Sequence, residues 1–346
     1  MIEDSPAALQ GDREGTPVPR HIAVVCGLDD HDGTLLQSSA GLAAAWGARL
    51  TVLGVLEPLP EIDRIARAAG VSAQEIEKRR LTEYREALQD QIARAGLDVQ
   101  PGFTLRVGKQ FLEIVRYVIA ENVDLLLKTA ERLDGSAHFV FASTDQHLLR
   151  KCPCPVWLRN DTAATPPKTV VAAVDVDATS AGEPKTLAGL NRRILELAAR
   201  VAAAAQGDLY LLHVWDAPGE GLVRLWSDGS DPKHAAEAYT SELRATHWNA
   251  LAALAEQARG WIGPAAAERI AFRFRLERGE ARSVIPMQVE ALKADLLVMG
   301  TIARTGVPGF IIGNTAEDIL NSVDCSVVTV KPPHYVSPVM NMIAAL

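Results

Sequence analysis

"ADLLVMGTIAR", at 294–304, is matched earlier in the chain by "VDLLLKTAERL", at 123–133, and this repetition decides the fold. Each stretch has an aspartate followed by a nearly continuous apolar run, which is typical of a parallel strand that is covered on both faces. A second pair, "CPVWLR" at 154–159 and "CSVVTVK" at 325–331, is separated by the same number of residues. The chain therefore consists of one structural unit written twice.

Each unit alternates short β-branched runs with segments of helical periodicity. In the first unit we expect strands near 21–28, 49–57, 100–107, 124–129 and 155–159, separated by helices near 34–47, 73–95, 110–121 and 145–151. This order predicts an α/β fold in which two tandem, doubly wound domains each contain an open parallel sheet.

The boundaries of the units follow from the places where turn-forming residues interrupt the pattern. The stretch "NDTAATPPK" at 160–168, rich in Thr and Pro, predicts a linker between two domains. We expect a flexible N-terminal segment at 1–20, domain 1 at 21–160, a linker at 161–168, domain 2 at 169–333 and a C-terminal tail at 334–346. An insertion in domain 2, at 219–232, mixes apolar residues with Gly and Ser, and we predict an ordinary long connection there rather than a lid.

The charge of the chain disfavours two classes of partner. The formal net charge is −8 at pH 7 over 346 residues, so we expect neither nucleic acid nor an anionic membrane as a partner. The N-terminus lacks the apolar core of a secretory signal, and no run of about eighteen apolar residues follows it. We therefore expect a cytoplasmic protein.

The cysteines and histidines do not form a metal-binding pattern. Cys152 and Cys154 are separated by one residue, which is a poor spacing for a chelate, and Cys26 and Cys325 lie in strand-like runs. The eight histidines include no pair with three residues between them. We expect reduced, structural thiols and no metal site.

A glycine-rich segment at 300–313 follows the second of the repeated strands, and a helical pattern then begins near Asn314. Ligands of open α/β sheets bind at the carboxyl ends of the strands, where glycines let the backbone approach closely and a helix N-terminus attracts phosphate. Asn314 with Glu317 also matches a capping box. From the residues alone, a phosphate-binding loop and a merely structural loop are equally supported.

This segment resembles the carboxyl-terminal signature of the universal stress protein family. Its nucleotide-binding members carry Gly, two residues, Gly, nine residues, Gly and then Ser or Thr, followed by a Cys-Pro-Val-like strand. Here Gly300, Ala303, Gly313 and Asn314 stand at those places. The stretches "GNTAE" and "STDQHLLRKCPCPVW" are similar to those of tandem, UspE-type members. The resemblance covers both domains, and it implies two Rossmann-like domains of the adenine-nucleotide α-hydrolase type that form a pseudo-dimer.

The resemblance also implies a ligand site in domain 2. Asp175 stands where the family has an acid that faces adenine and ribose. The candidate ligand-binding residues are Asp175, Val176, Val214, Met299, Gly300, Thr301, Ala303, Arg304, Gly306, Gly313, Asn314 and Thr315. In domain 1, Gly27 replaces the acid, and Thr129 and Ala142 replace two of the glycines. We therefore expect no ATP in domain 1 in the manner of the family.

We predict a cytoplasmic stress-response protein that binds a nucleotide-like or other phosphate-bearing small molecule in domain 2 and reports it to protein partners. Ala303 and Asn314 predict weak binding of ATP, because both replace smaller groups beside the phosphates. No cofactor is assigned beyond ATP or another phosphate-bearing ligand, and we expect no catalytic residues. The alternative is a weak adenine-nucleotide hydrolase, although the sequence has no GxxxxGK[ST] loop and no nucleophile elbow.

The last strand of each unit predicts how the domains pair. The stretches "CPVWL" at 154–158 and "SVVTV" at 326–330 are predominantly apolar, and an apolar strand at the open edge of a sheet invites aggregation. We expect these strands to cover each other, so that domain 1 pairs with domain 2. The identity of the protein partners and an additional homodimer are left open.

Overall fold

The computed structural model describes residues 18–131, 143–177, 184–227, 231–301 and 313–343. Over these residues the strands form one ten-stranded sheet with helices on both faces. None of the described helices combines the length and the apolar composition that a segment crossing a bilayer requires. The N-terminal segment predicted at 1–20 lies almost entirely outside the described residues.

Domain 1 alternates strands and helices, as the sequence predicts. Its described elements are β1 (His21–Val25), α1 (Asp32–Trp46), β2 (Arg49–Leu56), α2 (Ile62–Ala69), α3 (Ala73–Arg94), β3 (Gly102–Val107), α4 (Gln110–Ala120), β4 (Leu125–Thr129), α5 (Ser143–Lys151) and β5 (Val156–Arg159). Helix α2 is not predicted by the sequence, because it follows Pro58 and Pro60, and prolines usually mark a loop.

Domain 2 repeats this order with longer connections. Its described elements are β6 (Thr169–Ala173), α6 (Pro184–Ala205), β7 (Asp208–Trp215), α7 (Glu220–Trp226), α8 (Pro232–Ile262), α9 (Pro264–Ala267), β8 (Phe272–Arg278), α10 (Ala281–Ala291), β9 (Leu296–Gly300), α11 (Asn314–Leu320), β10 (Ser326–Val330) and α12 (Pro338–Ile343). The insertion at 219–232, predicted as an ordinary connection, contains helix α7 with exposed Leu225 and Trp226 side chains. The C-terminal tail contains α12, which packs against α4 of domain 1.

The strand order shows the duplication directly. The sheet runs β3-β2-β1-β4-β5-β10-β9-β6-β7-β8, so each domain has the same internal order. The strands within each domain are parallel. In the middle, β5 pairs antiparallel with β10, and Trp157 lies opposite Val328. The predicted pairing through the last strands is thus confirmed, and neither strand is left as an open edge.

Two apolar layers cover the sheet, and both run across the seam between the domains. One layer contains Trp157 and Val328 together with side chains of α1, α3, α6 and α8. The other contains Leu158 and Val327 together with side chains of α4, α5, α10, α11 and α12. Because successive residues of a strand point to opposite faces, β5 and β10 contribute to both layers. The domains therefore share their core and do not merely touch at their edges.

The four cysteines are all buried, and none forms a disulfide. Burial raises the pKa of the Cys325 thiol to about 12, so this residue stays in the poorly nucleophilic thiol form at neutral pH. Within the described ranges, no group of three or more His, Cys, Asp or Glu side chains could hold a metal ion.

Candidate functional site

The candidate residues of domain 2 come from three neighbouring strands of the sheet. Asp175 and Val176 follow β6, Val214 lies in β7, and Met299 and Gly300 end β9. Strand β6 pairs with both β7 and β9. These residues therefore lie at one carboxyl edge of the sheet, which is where ligands of this fold class bind.

Thr301 joins the end of β9 to the start of α11. Its carbonyl accepts a hydrogen bond from the amide of Gly313 at 3.1 Å, and the residue is fully buried. The structure therefore brings the strand end and the helix start together. Ala303, Arg304 and Gly306, which the sequence also places in the site, lie outside the described residues.

Asn191 of α6 holds the backbone of Asp175. Its Oδ1 accepts a hydrogen bond from the Asp175 amide at 3.2 Å, and its Nδ2 donates one to the Asp175 carbonyl at 2.6 Å. The Asp175 carboxylate faces its own loop, where Oδ1 accepts from the Asp177 amide at 3.1 Å. Sequence reasoning missed Asn191. An amide residue among the apolar positions of the helical stretch "LAGLNRRILELAA" at 187–199 is a signal that could have identified it, and the structure shows that Asn191 is buried.

Packing against Leu190 favours a glycine at position 300. A Cβ atom at this position would lie 2.7 Å from Cδ2 of Leu190, a distance that real Cβ atoms essentially never show. The sequence attributes this glycine to a close approach of ligand and backbone, whereas the structure gives it a contact with helix α6. Thr129 occupies the equivalent position in domain 1, so the end of the strand does not itself demand a glycine.

A buried histidine pair lies beside Val214. Nδ1 of His213 is 3.1 Å from the carbonyl oxygen of Val174, so this nitrogen must donate. Nε2 of His213 is then the acceptor for Nδ1 of His247, at 3.0 Å. Burial lowers the pKa of His213, which keeps this residue neutral at neutral pH. The pair thus fixes the backbone immediately before Asp175.

Lys331 is a functional candidate that sequence reasoning missed. It directly follows β10, its side chain is buried, and its Nζ donates to Oγ1 of Thr301 at 2.6 Å. The same Nζ donates to the carbonyl of Leu149 in domain 1. Burial between these two neutral acceptors lowers the pKa of the lysine to about 7. A lysine after an apolar strand usually marks a return to solvent, so the sequence carries no signal for this role.

The segment after β10, residues 331–339, caps helix α5 of domain 1, and we call it the C-terminal segment. The hydroxyl groups of Tyr335 and Ser337 donate to the last two carbonyls of α5, each at 2.6 Å. Lys331 donates to the carbonyl that precedes them. The last carbonyls of a helix have no partner within the helix. Domain 2 therefore supplies the C-terminal cap of helix α5 in domain 1.

The capping box expected at the start of α11 is wrong. Gly313, with φ −60° and ψ 140°, is the N-cap residue in place of Asn314, and no side chain among the described residues caps the helix. Asn314 is already helical and is exposed, as is Thr315. The Glu317 carboxylate forms an ion pair with Arg150 of domain 1 at 2.8 Å. A charged donor across the seam binds a carboxylate more strongly than a backbone amide of the same helix does.

In domain 1, a carboxylate of the chain itself closes the turn after β1. Oδ2 of Asp32 accepts hydrogen bonds from the amides of Gly27, Leu28 and Asp29, at 2.9, 3.0 and 3.1 Å. Leu28 adopts the left-handed conformation, with φ 70°, and the three N–H groups converge as in an anion-binding nest. The nest stands where Asp175 stands in domain 2, and it is filled by Asp32.

A buried ion pair occupies the end of β4 in domain 1. Nζ of Lys128 lies 3.0 Å from Oδ1 of Asp145 and 2.6 Å from Oε1 of Glu131. Burial alone would lower the pKa of Lys128, but the two carboxylates raise it above its ordinary value, and the lysine is charged. Met299 and Ala316 hold the corresponding positions in domain 2 and belong to one apolar layer. The Lys128–Asp145 ion pair of domain 1 is thus replaced by two apolar side chains in domain 2.

Comparison with known sequences agrees with this architecture. The sequence model of the Universal stress protein family matches residues 19–158 and 190–331. Universal stress protein E of Salmonella typhi is 29% identical over 233 residues, which cover 67% of this chain and 68% of that protein. Universal stress protein E of Photorhabdus laumondii is 28% identical over 246 residues, which cover 71% and 73%. The similarity therefore extends over most of both domains.

Solved structures show the same fold over nearly the whole chain. A protein of Pseudomonas aeruginosa PAO1, described as functionally unknown, superposes with a TM-score of 0.64 at 20% identity, covering 95% of this chain and 98% of that one. A universal stress protein from Archaeoglobus fulgidus superposes with a TM-score of 0.59 at 18% identity, covering 90% and 98%. At these identities the likeness concerns the arrangement of both domains.

Proposed function

The chain belongs to the universal stress protein family as a tandem, UspE-type member, and we propose that it is a regulatory protein that binds a small phosphate-bearing molecule at the carboxyl edge of domain 2. Binding, and not chemical conversion, is the proposed activity. Domain 1 is proposed to receive the signal of binding and to hold no ligand of its own at the equivalent edge.

The observation that carries the proposal is the contrast between the two carboxyl edges. Lys128 and Asp145 place opposite charges at the edge of domain 1, and these charges satisfy each other. Met299 and Ala316 are the apolar residues at the equivalent positions in domain 2. Asp175 adds a carboxylate there, and Asn191 holds the backbone of Asp175 in place through two hydrogen bonds. Asp175, Val176 and Val214 are half-buried at this edge, and apolar side chains beside one oriented acceptor suit a purine ring and the hydroxyl groups of a ribose.

Hydrolysis is the less supported activity. Asp175 is the one carboxylate among the candidate residues, and its Oδ1 already accepts a hydrogen bond from the Asp177 amide. This arrangement suits a residue that positions a ligand better than a general base, which must take a proton from water. ATP itself should bind weakly, because Ala303 and Asn314 replace a glycine and a hydroxyl group of the family signature.

Lys331 supplies a contact through which binding would be reported to domain 1. Its ammonium group donates to Thr301, the first residue after β9, and to the Leu149 carbonyl of α5. A displacement of Thr301 on binding would change the capping of α5, the helix that also carries Asp145. Such coupling requires that this contact has two arrangements, and hydrogen exchange of α5 with and without ligand measures it.

Titration calorimetry with ATP and magnesium tests the location and the strength of the site. We expect a dissociation constant above about 10 µM and a loss of about tenfold or more with Asp175→Asn. Asp29→Asn removes the same charge from the equivalent turn of domain 1, and it should leave the affinity unchanged. Chromatography of the titrated solution should recover ATP without ADP.

If the natural chain releases no heat with ATP, a variant that restores the glycine and the hydroxyl group of the family signature provides the test. The double variant Ala303→Gly, Asn314→Ser should bind ATP about tenfold to a hundredfold more tightly, and Asp175→Asn should abolish that gain. Binding that survives Asp175→Asn but is lost in Asp29→Asn would place the ligand in domain 1 and refute the proposal. Formation of ADP that depends on Asp175 would instead establish the hydrolase.

A further inference from the structure

A cavity of about 330 Å³ lies at the seam between the domains, on the side covered by α1 and α6. Leu127 and Trp157 of domain 1 and Val201 and Ala205 of domain 2 form buried, apolar walls. The linker closes one side through its residues 164–167. None of the candidate ligand-site residues that the structure describes lines this cavity, so we treat it as a separate feature of the fold.

Arg159 is the one charged residue among the described residues that line the cavity. Its side chain is buried, with 6% of the residue exposed. Nε and Nη2 share one neutral acceptor, the hydroxyl of Thr165, at 3.3 and 3.2 Å, and Nη1 is buried without a hydrogen-bond partner. A buried guanidinium group with so few hydrogen-bond acceptors destabilises the fold. The hydrogen bonds to Thr165 of the linker do not explain why this residue is an arginine.

Trp157 supplies a second unmatched donor next to the cavity. It lies two residues before Arg159 on the same face of β5, and its indole Nε1 is buried without an acceptor. Asp161 acts on Arg159 through space and opposes the lowering of the Arg159 pKa that burial causes. That carboxylate, however, is directed to His31, with 3.4 Å between Oδ2 and Nε2. Nη1 of Arg159 and Nε1 of Trp157 therefore both lie buried without a hydrogen-bond acceptor.

We propose that this cavity binds a small organic carboxylate, whose apolar body lies against Leu127, Trp157 and Val201 and whose carboxylate pairs with Arg159. A carboxylate offers two acceptors in one plane, which matches the geometry of a guanidinium group. A neutral apolar molecule would leave both donors unmatched, and a cation would be repelled by Arg159. The volume is that of a small-molecule site, and it admits a fused bicyclic aromatic acid.

Titration calorimetry of the full chain with 2-naphthoate tests the proposal. The control ligand is 2-naphthalenemethanol, which has the same rings but no charge. We expect 2-naphthoate to bind with a dissociation constant on the order of 100 µM and about tenfold more tightly than the alcohol. Arg159→Met should remove this preference, because it keeps the volume and deletes the charge. Replacing a buried charge by an apolar side chain usually preserves folding, and the melting temperature checks it.

Gly41→Leu provides an independent steric test. Gly41 of α1 lines the cavity, and a Cβ atom there would meet nothing within 4 Å, so a leucine should be accommodated by the helix and should block 2-naphthoate. Gly33→Leu is the matched control, since its position on the same helix is equally open but lies outside the cavity. Equal affinities for the acid and the alcohol, no heat at millimolar 2-naphthoate, or binding that survives Arg159→Met and Gly41→Leu would each overturn the proposal.

Discussion

Domain 1 and domain 2 share one strand order but differ in what occupies their carboxyl edges. In domain 1, Asp32 fills the turn after β1, and Lys128 pairs with Asp145 at the end of β4. In domain 2, Asp175 follows β6 and apolar Met299 ends β9. One copy of the duplicated fold therefore satisfies its edge with its own charged side chains, whereas the other places apolar Met299 and a carboxylate there.

The seam between the domains shows the same asymmetry. Lys331 of domain 2 donates to the α5 carbonyl of Leu149 in domain 1. Asn160 stands at the equivalent position of domain 1, and its amide donates to the carbonyl of Asp324 in domain 2. Each position thus donates to a backbone carbonyl of the other domain, but only one of the two carries a group that changes charge near neutral pH. Predictions that exchange or remove these features test whether the asymmetry is functional.

The largest effect is expected from breaking the ionic edge of domain 1. Asp145→Ala should lower the free energy of unfolding by about 3 kcal/mol, because Lys128 would stay buried with the partly exposed Glu131 as its remaining charged partner. The double variant Lys128→Met, Asp145→Ala copies Met299 and Ala316 of domain 2, and it should recover most of that loss. Urea unfolding followed by circular dichroism measures both. A double variant that is no more stable than Asp145→Ala would contradict this account.

The next effect concerns the pH dependence that Lys331 should give to stability. Its pKa is about 7 in the folded protein and about 10.4 in an unfolded chain. Between these values the unfolded chain binds more protons, so stability rises with pH, and below about pH 7 the contribution is constant. The gain from pH 7 to pH 9 should be about 2 kcal/mol.

Lys331→Met is the variant that isolates this contribution. Its free energy of unfolding, measured in urea at pH 7, 8 and 9, should lack the rise that the natural chain shows. The difference between the two proteins should therefore shift by about 2 kcal/mol over this range. A difference that is independent of pH would mean that Lys331 stays charged when buried.

A smaller effect is expected at the end of β9. Gly300→Ala should cost about 1 kcal/mol, because the new Cβ atom would meet Cδ2 of Leu190 at 2.7 Å. Thr129→Ala is the matched change in domain 1, and it should be nearly neutral, since the buried hydroxyl of Thr129 has no hydrogen-bond partner. Thermal unfolding compares the two variants. Equal costs would show that Leu190 does not decide which residue the strand end accepts.

The smallest effect is expected from the C-terminal segment. Tyr335→Phe should cost about 0.5–1 kcal/mol, because the Arg150 carbonyl at the end of α5 would lose its partner. Hydrogen exchange should become faster in the last turn of α5, while helix α8 in domain 2 serves as the internal control. If α5 and α8 respond alike, the capping does not act on domain 1 specifically.

Local pattern predicted most of the architecture. The pairing of β5 with β10 could be predicted because an apolar last strand needs a cover, and the order of the elements followed from their periodicity. The capping box at Asn314 is wrong because the sequence rule considers only the helix itself, and Glu317 finds Arg150 across the seam. Helix α7 escaped prediction because Gly and Ser in its segment indicate a loop. For the candidate site, the sequence predicted Asp175 and Thr301, which remain predictions, and the predicted set included neither Asn191 nor Lys331.

The sequence by itself determined the duplication, the parallel sheets and the strand on which the domains join, since the spacing of apolar residues is a local property that any fold of this chain must respect. Only the tertiary structure decided which polar groups are satisfied. Arg159 is buried with Nη1 lacking a hydrogen-bond partner, and Lys331 meets Thr301 and Leu149 through contacts between segments far apart in the chain. Such contacts depend on burial and on exact distances, and a polar residue in a sequence looks the same whether its partner is water, a carbonyl or a ligand.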